Sequence, residues 1–332
     1  MCQVSVVIPA FNRRAVVGEA IASALSQTLA PLEVVVVDDG SDDGTHKVAL
    51  AYGEPVRCLR RDNGGPAAAR NTGVIAARGD LVAFLDSDDA WHPHCLERLV
   101  ANQRRYDLDM VFADVEVHQD GKLVARSFLA QKRVGPILTA HPGVVPDIFA
   151  MLLVENPVAT SAVLARRSVL LSVGLFDEQL RSVEDRDLWL RVAKVGRVGV
   201  VPESLAVVRR RGASLSGNAR LADASRAVVI RRYVHDPLLT PEQRAAGMTE
   251  LARIHFDLAY HSARRANLPA AAAHLLRSYL IDRNPQVLTR GVTWAAQAPG
   301  RILAGIAGAA VRRWTARGLA ASTERSSFPG RM

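Results

Sequence analysis

The chain has 332 residues, 49% hydrophobic and 23% charged, with 5% aromatics and a net charge of +9. These proportions suit a globular chain with a large core and exclude disordered, collagen-like and disulfide-framed classes. The charge is lopsided: from Pro241 onward there are 13 Arg, no Lys and 5 acids, leaving the first 240 residues near neutrality.

That asymmetry speaks against a nucleic-acid-binding body. It leaves a basic tail that suits an anionic membrane surface or, equally, an Arg-rich set of solvated helices. Cys2, Cys58 and Cys95 are scattered without metal or CxxC spacing and read as reduced thiols of a cytosolic chain. No signal peptide is expected, because Val4–Ile8 is short and lacks a basic start. No spanning helix is expected either, since the most apolar stretch, Gly291–Val311, is broken by Pro299 and Arg301.

In chain order, Val4–Ile8 is a β-branched run and Val16–Ser26 carries apolar residues at helical spacing. Val34–Val37 is four consecutive valines, the mark of a strand buried on both faces. A helix over Thr45–Tyr52, a strand over Val56–Leu59, a helix over Pro66–Ala77 and a buried strand over Leu81–Leu85 follow. His92–Tyr106 is helical. This alternation predicts an α/β fold with a doubly wound, mostly parallel sheet. Beyond Asp109 the pattern is mixed. Met110–His118 and Gly121–Phe128 read as paired strands and Arg133–Pro146 as loop. Ile148–Val154 and Ser168–Val173 read as helices around a strand at Ser161–Ala165, and Leu188–Val195 as a helix before a strand at Val198–Val201. After Asn218 the chain turns helical. Thr240-Pro241-Glu242 starts one helix, and Asn267-Leu268-Pro269 separates it from a second that runs to Ile281. Arg301–Ala320 reads as a basic amphipathic helix.

Two buried strands end in acid: Asp38-Asp39-Gly40-Ser41 and Asp86-Ser87-Asp88-Asp89. In an open parallel sheet, ligands bind beyond the carboxyl ends of the strands, so both clusters and the Pro9–Asn12 segment converge on one crevice. Carboxylates there suit a hard divalent cation. Neither stretch keeps EF-hand spacing, and no P-loop or GxGxxG is present. A phosphate site is expected at "NGGPAAARNTG", where glycines admit close backbone approach and Arg70 supplies a cation. Plainer roles stand beside each of these. Asp86, Asp88 and Asp89 suit a solvated loop, with Asp89 capping the following helix. Asp38 and Asp39 suit a turn, and Arg70 a surface salt bridge. Glu184, Asp185 and Asp187 suit the acidic first turn of a helix.

"SVVIPAFNR", "VVVVDDGSDDGT", "NGGPAAARNTG", "FLDSDDAW" and the later "SVEDRDLWLRV", in that order, resemble the GT-A-fold glycosyltransferases of family 2, over roughly Cys2 to Ser216. The resemblance implies a nucleotide-diphosphate sugar donor (UDP-sugar favoured), a Mn or Mg ion and inverting transfer. Pro9, Phe11 and Asn12 would lie along the nucleoside, with Phe11 where the family more often has Tyr. Asp39 would meet the base, Arg70 the diphosphate and Asp86 the ribose. Asp88 would bind the metal, with Asp89 assisting, and Asp185 would be the general base. Glu184, Trp189 as a sugar platform and Arg211 are further candidates. Trp189 shares a helical face with Asp185 and suits packing at least as well.

The expected organisation is a GT-A domain over residues 1–218, with a nucleotide-sugar half to 108 and an acceptor half from 109. A helical extension covers 219–285 and a basic, membrane-surface tail 286–332. The expected function is sugar transfer to a saccharide or lipid-linked saccharide in surface polysaccharide or glycolipid assembly, at the cytoplasmic face of the membrane, with no nucleic-acid partner. The alternatives are an inert nucleotide-sugar-binding homologue and a sugar nucleotidyltransferase.

Overall fold

The structure is a computed structural model that describes residues 3–140, 142–210 and 219–283. Arg211, the tail 286–332 and the helix expected over Arg301–Ala320 lie outside the described residues. Two compact units are present. One comprises Met1–Val229 with Leu238–Gly247, the other Ile230–Pro237 with the chain from Met248.

The first unit is built on a mixed sheet. Strands β1 (Val4–Ala10), β2 (Glu33–Asp38), β3 (Val56–Arg60) and β4 (Leu81–Phe84) run parallel in the order β3-β2-β1-β4. Helices α1 (Val17–Leu25), α2 (Thr45–Leu50) and α3 (Pro66–Ala76) make the crossovers. The valine run of β2 needs apolar cover on both faces, and it has it. Val34 and Val36 join one core cluster, while Val35 and Val37 pack with Ala69 of α3 in another. Helix α3 lies close on β1: a Cβ on Gly73 would stand 2.3 Å from a Val7 methyl. Glu33, though buried, is fully engaged, by Ser5 Oγ (2.7 Å), Arg57 Nη1 (2.5 Å) and the Arg78 N–H (2.7 Å). Those donors outweigh the cost of burial, and its carboxyl stays below the usual range.

The remaining strands are β5 (Ala90–Trp91), β6 (Met110–Gln119), β7 (Lys122–Ala125), β8 (Gly143–Val144), β9 (Val163–Arg166) and β10 (Val198–Arg210). They extend the sheet as β4-β9-β6-β10-β5, with β7 on β6 and β8 on β10. β9 is antiparallel to both β4 and β6, so the parallel half becomes mixed there. Helices α4 (Cys95–Tyr106), α5 (Gly135–Ala140), α6 (Ile148–Val154), α7 (Arg167–Ser172), α8 (Glu184–Val195) and α9 (Ala219–Val234) complete the described succession up to Val234.

Several expectations shift. The stretch 133–146 holds α5 and β8 rather than loop alone, and a two-residue β5 precedes α4. Helix α8 begins at Glu184, one turn earlier than its apolar pattern indicates, and β10 runs to Arg210. Pro202 sits where β10 bulges against β6, which lets the strand continue past a residue that cannot donate.

Helix α10 (Pro241–Ala263) enters the second unit at Met248, and from there it forms the expected hairpin with α11 (Leu268–Asp282). The Asn267 side chain caps α11 by accepting from the Ala270 N–H (3.2 Å). Ser278 donates to the Ala252 carbonyl (2.8 Å), and the His255 and His274 rings stack at 5.3 Å. Among the described residues no helix is long and apolar enough to cross a membrane.

Candidate active site

β1, β2 and β4 are parallel, so their carboxyl ends meet at one edge of the sheet. The loops leaving β1 and β2 are laced together there. Asn12 N–H donates to Ser41 Oγ (2.9 Å) and Arg13 N–H to Thr45 Oγ1 (2.8 Å). The Arg14 and Asp42 N–H groups donate to Asp43 Oδ2 (2.9 Å) and Asn12 Oδ1 (3.1 Å). An open cleft of about 610 Å³ is lined by Asn12, Arg13, Arg14, Ala15, Val16 and Asp43. Phe11 is 46% exposed beside it, whereas Pro9 is buried inside β1 opposite Val37.

Asp38 and Asp39 divide their work. Asp38 is buried, accepts the Ser41 N–H (3.2 Å) and faces Arg60 at 3.3 Å, so it holds the turn. Asp39 accepts from the N–H groups of Gly64 (3.1 Å) and Gly65 (2.7 Å) and faces Arg61 at 3.2 Å. The two amides that the glycine-rich stretch offers to a phosphate are thus turned onto Asp39. Gly40 is required where these loops cross: its φ is +82°, and a Cβ would lie 2.8 Å from the Asn63 nitrogen.

Arg70 projects from α3 between two separate acidic segments. Nη2 donates to Asp86 Oδ1 and Nη1 to Glu184 Oε1, each at 2.8 Å, and the guanidinium lies 5.5 Å from the Phe176 ring centre. Its side chain is 7% exposed. Burial works against its charge, but Asp86 and Glu184 outweigh that and raise its pKa. One arginine therefore ties the β4 shelf to the start of α8.

On the shelf, Asp88 is 23% exposed and lies 3.5 Å from Arg13 Nε. Asp89 is buried. Its Oδ2 accepts from the Ser161 hydroxyl and its Oδ1 from the Arg209 N–H (2.8 Å). Burial, with Asp86 and Asp88 nearby, pushes its carboxyl up to about 8. The expectation that Asp89 caps the next helix is corrected: His94 holds the N-cap of α4 with no side-chain cap bond, and Asp89 faces inward.

Asp185 opens α8. Oδ1 accepts the Arg186 N–H (2.7 Å), and Oδ2 accepts from Asn156 Nδ2 (2.9 Å) and, at 3.5 Å, from Thr160 Oγ1. Burial, and then Glu184, raise its carboxyl to about 6 against these donors and Arg70. Asp187 is buried in an ion pair with Arg191. Trp189 is fully buried, with ring centres 6.1 Å from Phe84 and 5.9 Å from Phe176. It is core and presents no face to a sugar, which removes it from the candidate site.

The structure also gathers two residues that sequence reasoning passed over, Ser161 and Asn156, and one, Arg209, that it reads only as part of a basic run before Arg211. Ser161 bonds Asp89 and receives the Asp86 N–H (3.2 Å), and its carbonyl receives Trp91 Nε1 (2.5 Å). Asn156 bonds the Asp185 carboxylate, and Arg209 braces the shelf through the Asp88 carbonyl (3.3 Å) and the Asp89 carboxylate. No spacing marks these residues; their partners are 29 to 121 positions away.

The donor set suits a hard cation shared with substrate oxygens. Among the described residues no three His, Cys, Asp or Glu side chains gather as a closed metal cage. Asp86 is held by Arg70, which leaves Asp88 as a partly exposed carboxylate at the crevice. Mg and Mn sites of nucleotide enzymes commonly use one or two carboxylates plus phosphate oxygens and water, so these residues fit the ion.

Residues 5–141 match the family described as glycosyl transferase family 2. An uncharacterized glycosyltransferase of Rickettsia prowazekii is 30% identical over 65% of this chain and 66% of its own length. The succinoglycan biosynthesis protein ExoW of Rhizobium meliloti is 38% identical over 35% of this chain and 38% of its own. The chain spans between about one third and two thirds of the length of the first curated relatives it matches. In fold it is similar to the mannosyltransferase PcManGT of Pyrobaculum calidifontis, solved with GDP-Man and Mn2+. The TM-score is 0.58 at 18% identity, over 95% of this chain and 83% of that one. The strand order, the acid shelf beyond β4 and these relatives agree, and the chain belongs, through residues 5–141, to glycosyl transferase family 2.

Proposed function

We propose that this chain is a metal-dependent, inverting glycosyltransferase that moves a sugar from a nucleotide-diphosphate sugar to an acceptor hydroxyl. The observation that carries the reading is the Arg70 tie, which pairs one guanidinium with Asp86 beyond β4 and with Glu184, the neighbour of Asp185, at the start of α8. Phe11 and Asn12 flank the nucleoside, Asp39 meets the base and Asp86 the ribose. Arg70 stands on the diphosphate side. Asp88 would hold the divalent ion, which when bound neutralises charge on the departing diphosphate. Asp185 takes the proton of the acceptor hydroxyl as that oxygen bonds to the anomeric carbon. The bond from that carbon to the diphosphate oxygen breaks, and its electron pair leaves with the nucleoside diphosphate. Attack opposite the leaving group inverts the anomeric centre, and a single base suffices.

A carboxyl that titrates near pH 6 suits a general base, since it is ionised at neutral pH yet basic enough to accept a proton in a polarised transition state. The name of the Rhizobium relative supports polysaccharide assembly as the setting. The basic tail supports peripheral contact with an anionic membrane at the cytoplasmic face.

The test is a screen of UDP- and GDP-sugars with Mn, following nucleoside diphosphate release with and without saccharide acceptors. Metal-dependent release of diphosphate supports the reading. Pyrophosphate release from a nucleoside triphosphate and sugar phosphate would replace it with a nucleotidyltransferase. Tight donor binding without turnover would replace it with an inert homologue.

A further inference from the structure

The Asp185 carboxylate is not held by its own helix alone. Asn156 follows the end of α6, and its Oδ1 accepts the Val158 N–H at 3.1 Å. That bond fixes which end of the amide faces α8, so Nδ2 is the end that reaches Asp185 Oδ2, at 2.9 Å. Thr160 Oγ1 lies on the same oxygen at 3.5 Å. Among the described residues Oδ1 carries only the Arg186 N–H, at 2.7 Å. The two oxygens are therefore unequal among the described residues: Oδ2 takes two side-chain donors and Oδ1 a single backbone one. The charged groups facing this carboxylate, among the described residues, are Glu184 beside it, Arg70 from α3 and Lys132 from the segment before α5. None of them fixes its rotation, because a charge acts over distance and a hydrogen bond along a direction.

We propose that Asn156 is a positioning residue that locks the Asp185 side chain so that Oδ1 receives the acceptor's proton. This rests on the reading of Asp185 as the base. The same short stretch continues into Ser161, which bonds the shelf residues Asp86 and Asp89. Residues 156–161 thus touch both halves of the site and hold the base at a fixed offset from the donor shelf. A donor to a carboxylate stabilises its ionised form, so losing Asn156 raises the affinity of Asp185 for protons as well as freeing its rotation.

The test is made on the full chain labelled with carboxyl-13C aspartate, before any sugar or metal is added. The resonance missing in Asp185→Asn reports this carboxyl. Asn156→Ala is expected to raise its midpoint by roughly 0.5–1 pH unit, the scale of one net hydrogen bond. Should Asn156→Ala not fold, Asn156→Ser, with a shorter donor, is expected to give part of that shift. In turnover, kcat for Mn-dependent donor cleavage is expected to fall roughly 10-fold or more with donor KM within twofold, and its acid limb to move with the NMR midpoint. An unmoved midpoint in both variants overturns the proposal. A moved midpoint in Asn156→Ala, together with normal transfer by Asp185→Asn, would retain Asn156 as the carboxylate's anchor and sink the reading of Asp185 as the base.

Discussion

Replacing Arg70 by Met is the sharpest perturbation of the architecture. Met has similar length and no charge, so the guanidinium's place is refilled with apolar atoms while Asp86 and Glu184 lose their shared cation. Removing one partner of a buried ion pair costs about 3–5 kcal/mol, because the remaining charge is stranded. Asp86 is 33% exposed and regains water readily, whereas Glu184, at 12%, does not. The lower end, about 3 kcal/mol, is therefore expected, and loss of the Phe176 contact adds at most about 1 kcal/mol. With a urea dependence of about 3 kcal/mol per M for a chain of this size, the unfolding midpoint of the first unit falls by about 1 M. Adding Glu184→Gln removes the stranded charge, so the double variant is expected to recover about 1 kcal/mol or more relative to Arg70→Met. A midpoint within about 0.3 M of wild type, or additivity of the two substitutions, would refute the bridge.

Two further outcomes rest on single contacts. The folded carboxyl of Asp185, near 6, lies above its ordinary 3.8, so the native state binds the proton more tightly than the unfolded chain does. Stability from this group is full below about pH 4 and is lost as pH rises through about 6. Asp185→Asn is accordingly expected to raise stability in urea at pH 7.5 by up to about 3 kcal/mol and to change it little at pH 4, less whatever Asn156 loses as a donor. A variant less stable than wild type at both pH values would contradict this. Gly73→Ala forces a methyl to within 2.3 Å of Val7 at the α3–β1 contact, and thermal unfolding is expected to register about 1–3 kcal/mol of overpacking.

The first half of the sheet was legible because its acidic loops sit at the ends of strongly patterned strands. The β-branched runs at Val4–Ile8 and Val34–Val37 and the Leu81–Leu85 segment mark buried parallel strands, and the residues just beyond each strand must emerge at the same edge. The acid shelf could be read from that alone. Arg70 was legible as a cation near the site, but its partners lie 16 and 114 positions away, a pairing that only the folded chain creates. The glycines at 64 and 65 pointed to a phosphate cradle, yet their amides turn onto Asp39, because a buried carboxylate needs donors more than an open loop needs an anion. Trp189 shows the limit of helical spacing: it shares a face with Asp185, but the aromatic cluster with Phe84 and Phe176 draws it fully into the core. Asn156 and Ser161 carry no motif. They matter because β9 runs antiparallel against β4, which brings the residues just before it to the shelf.

The central claim is that Asp88 serves the metal and donor while Asp185 serves the proton. The measurement that tests it most directly is paired donor-binding and transfer titration, with Mn, of Asp88→Ala and Asp185→Asn. The account predicts that Asp88→Ala loses Mn-assisted donor binding. It predicts that Asp185→Asn binds donor with an affinity within about threefold of wild type and transfers at least about 100-fold more slowly, the scale of a lost general base. Normal transfer by either variant would contradict it.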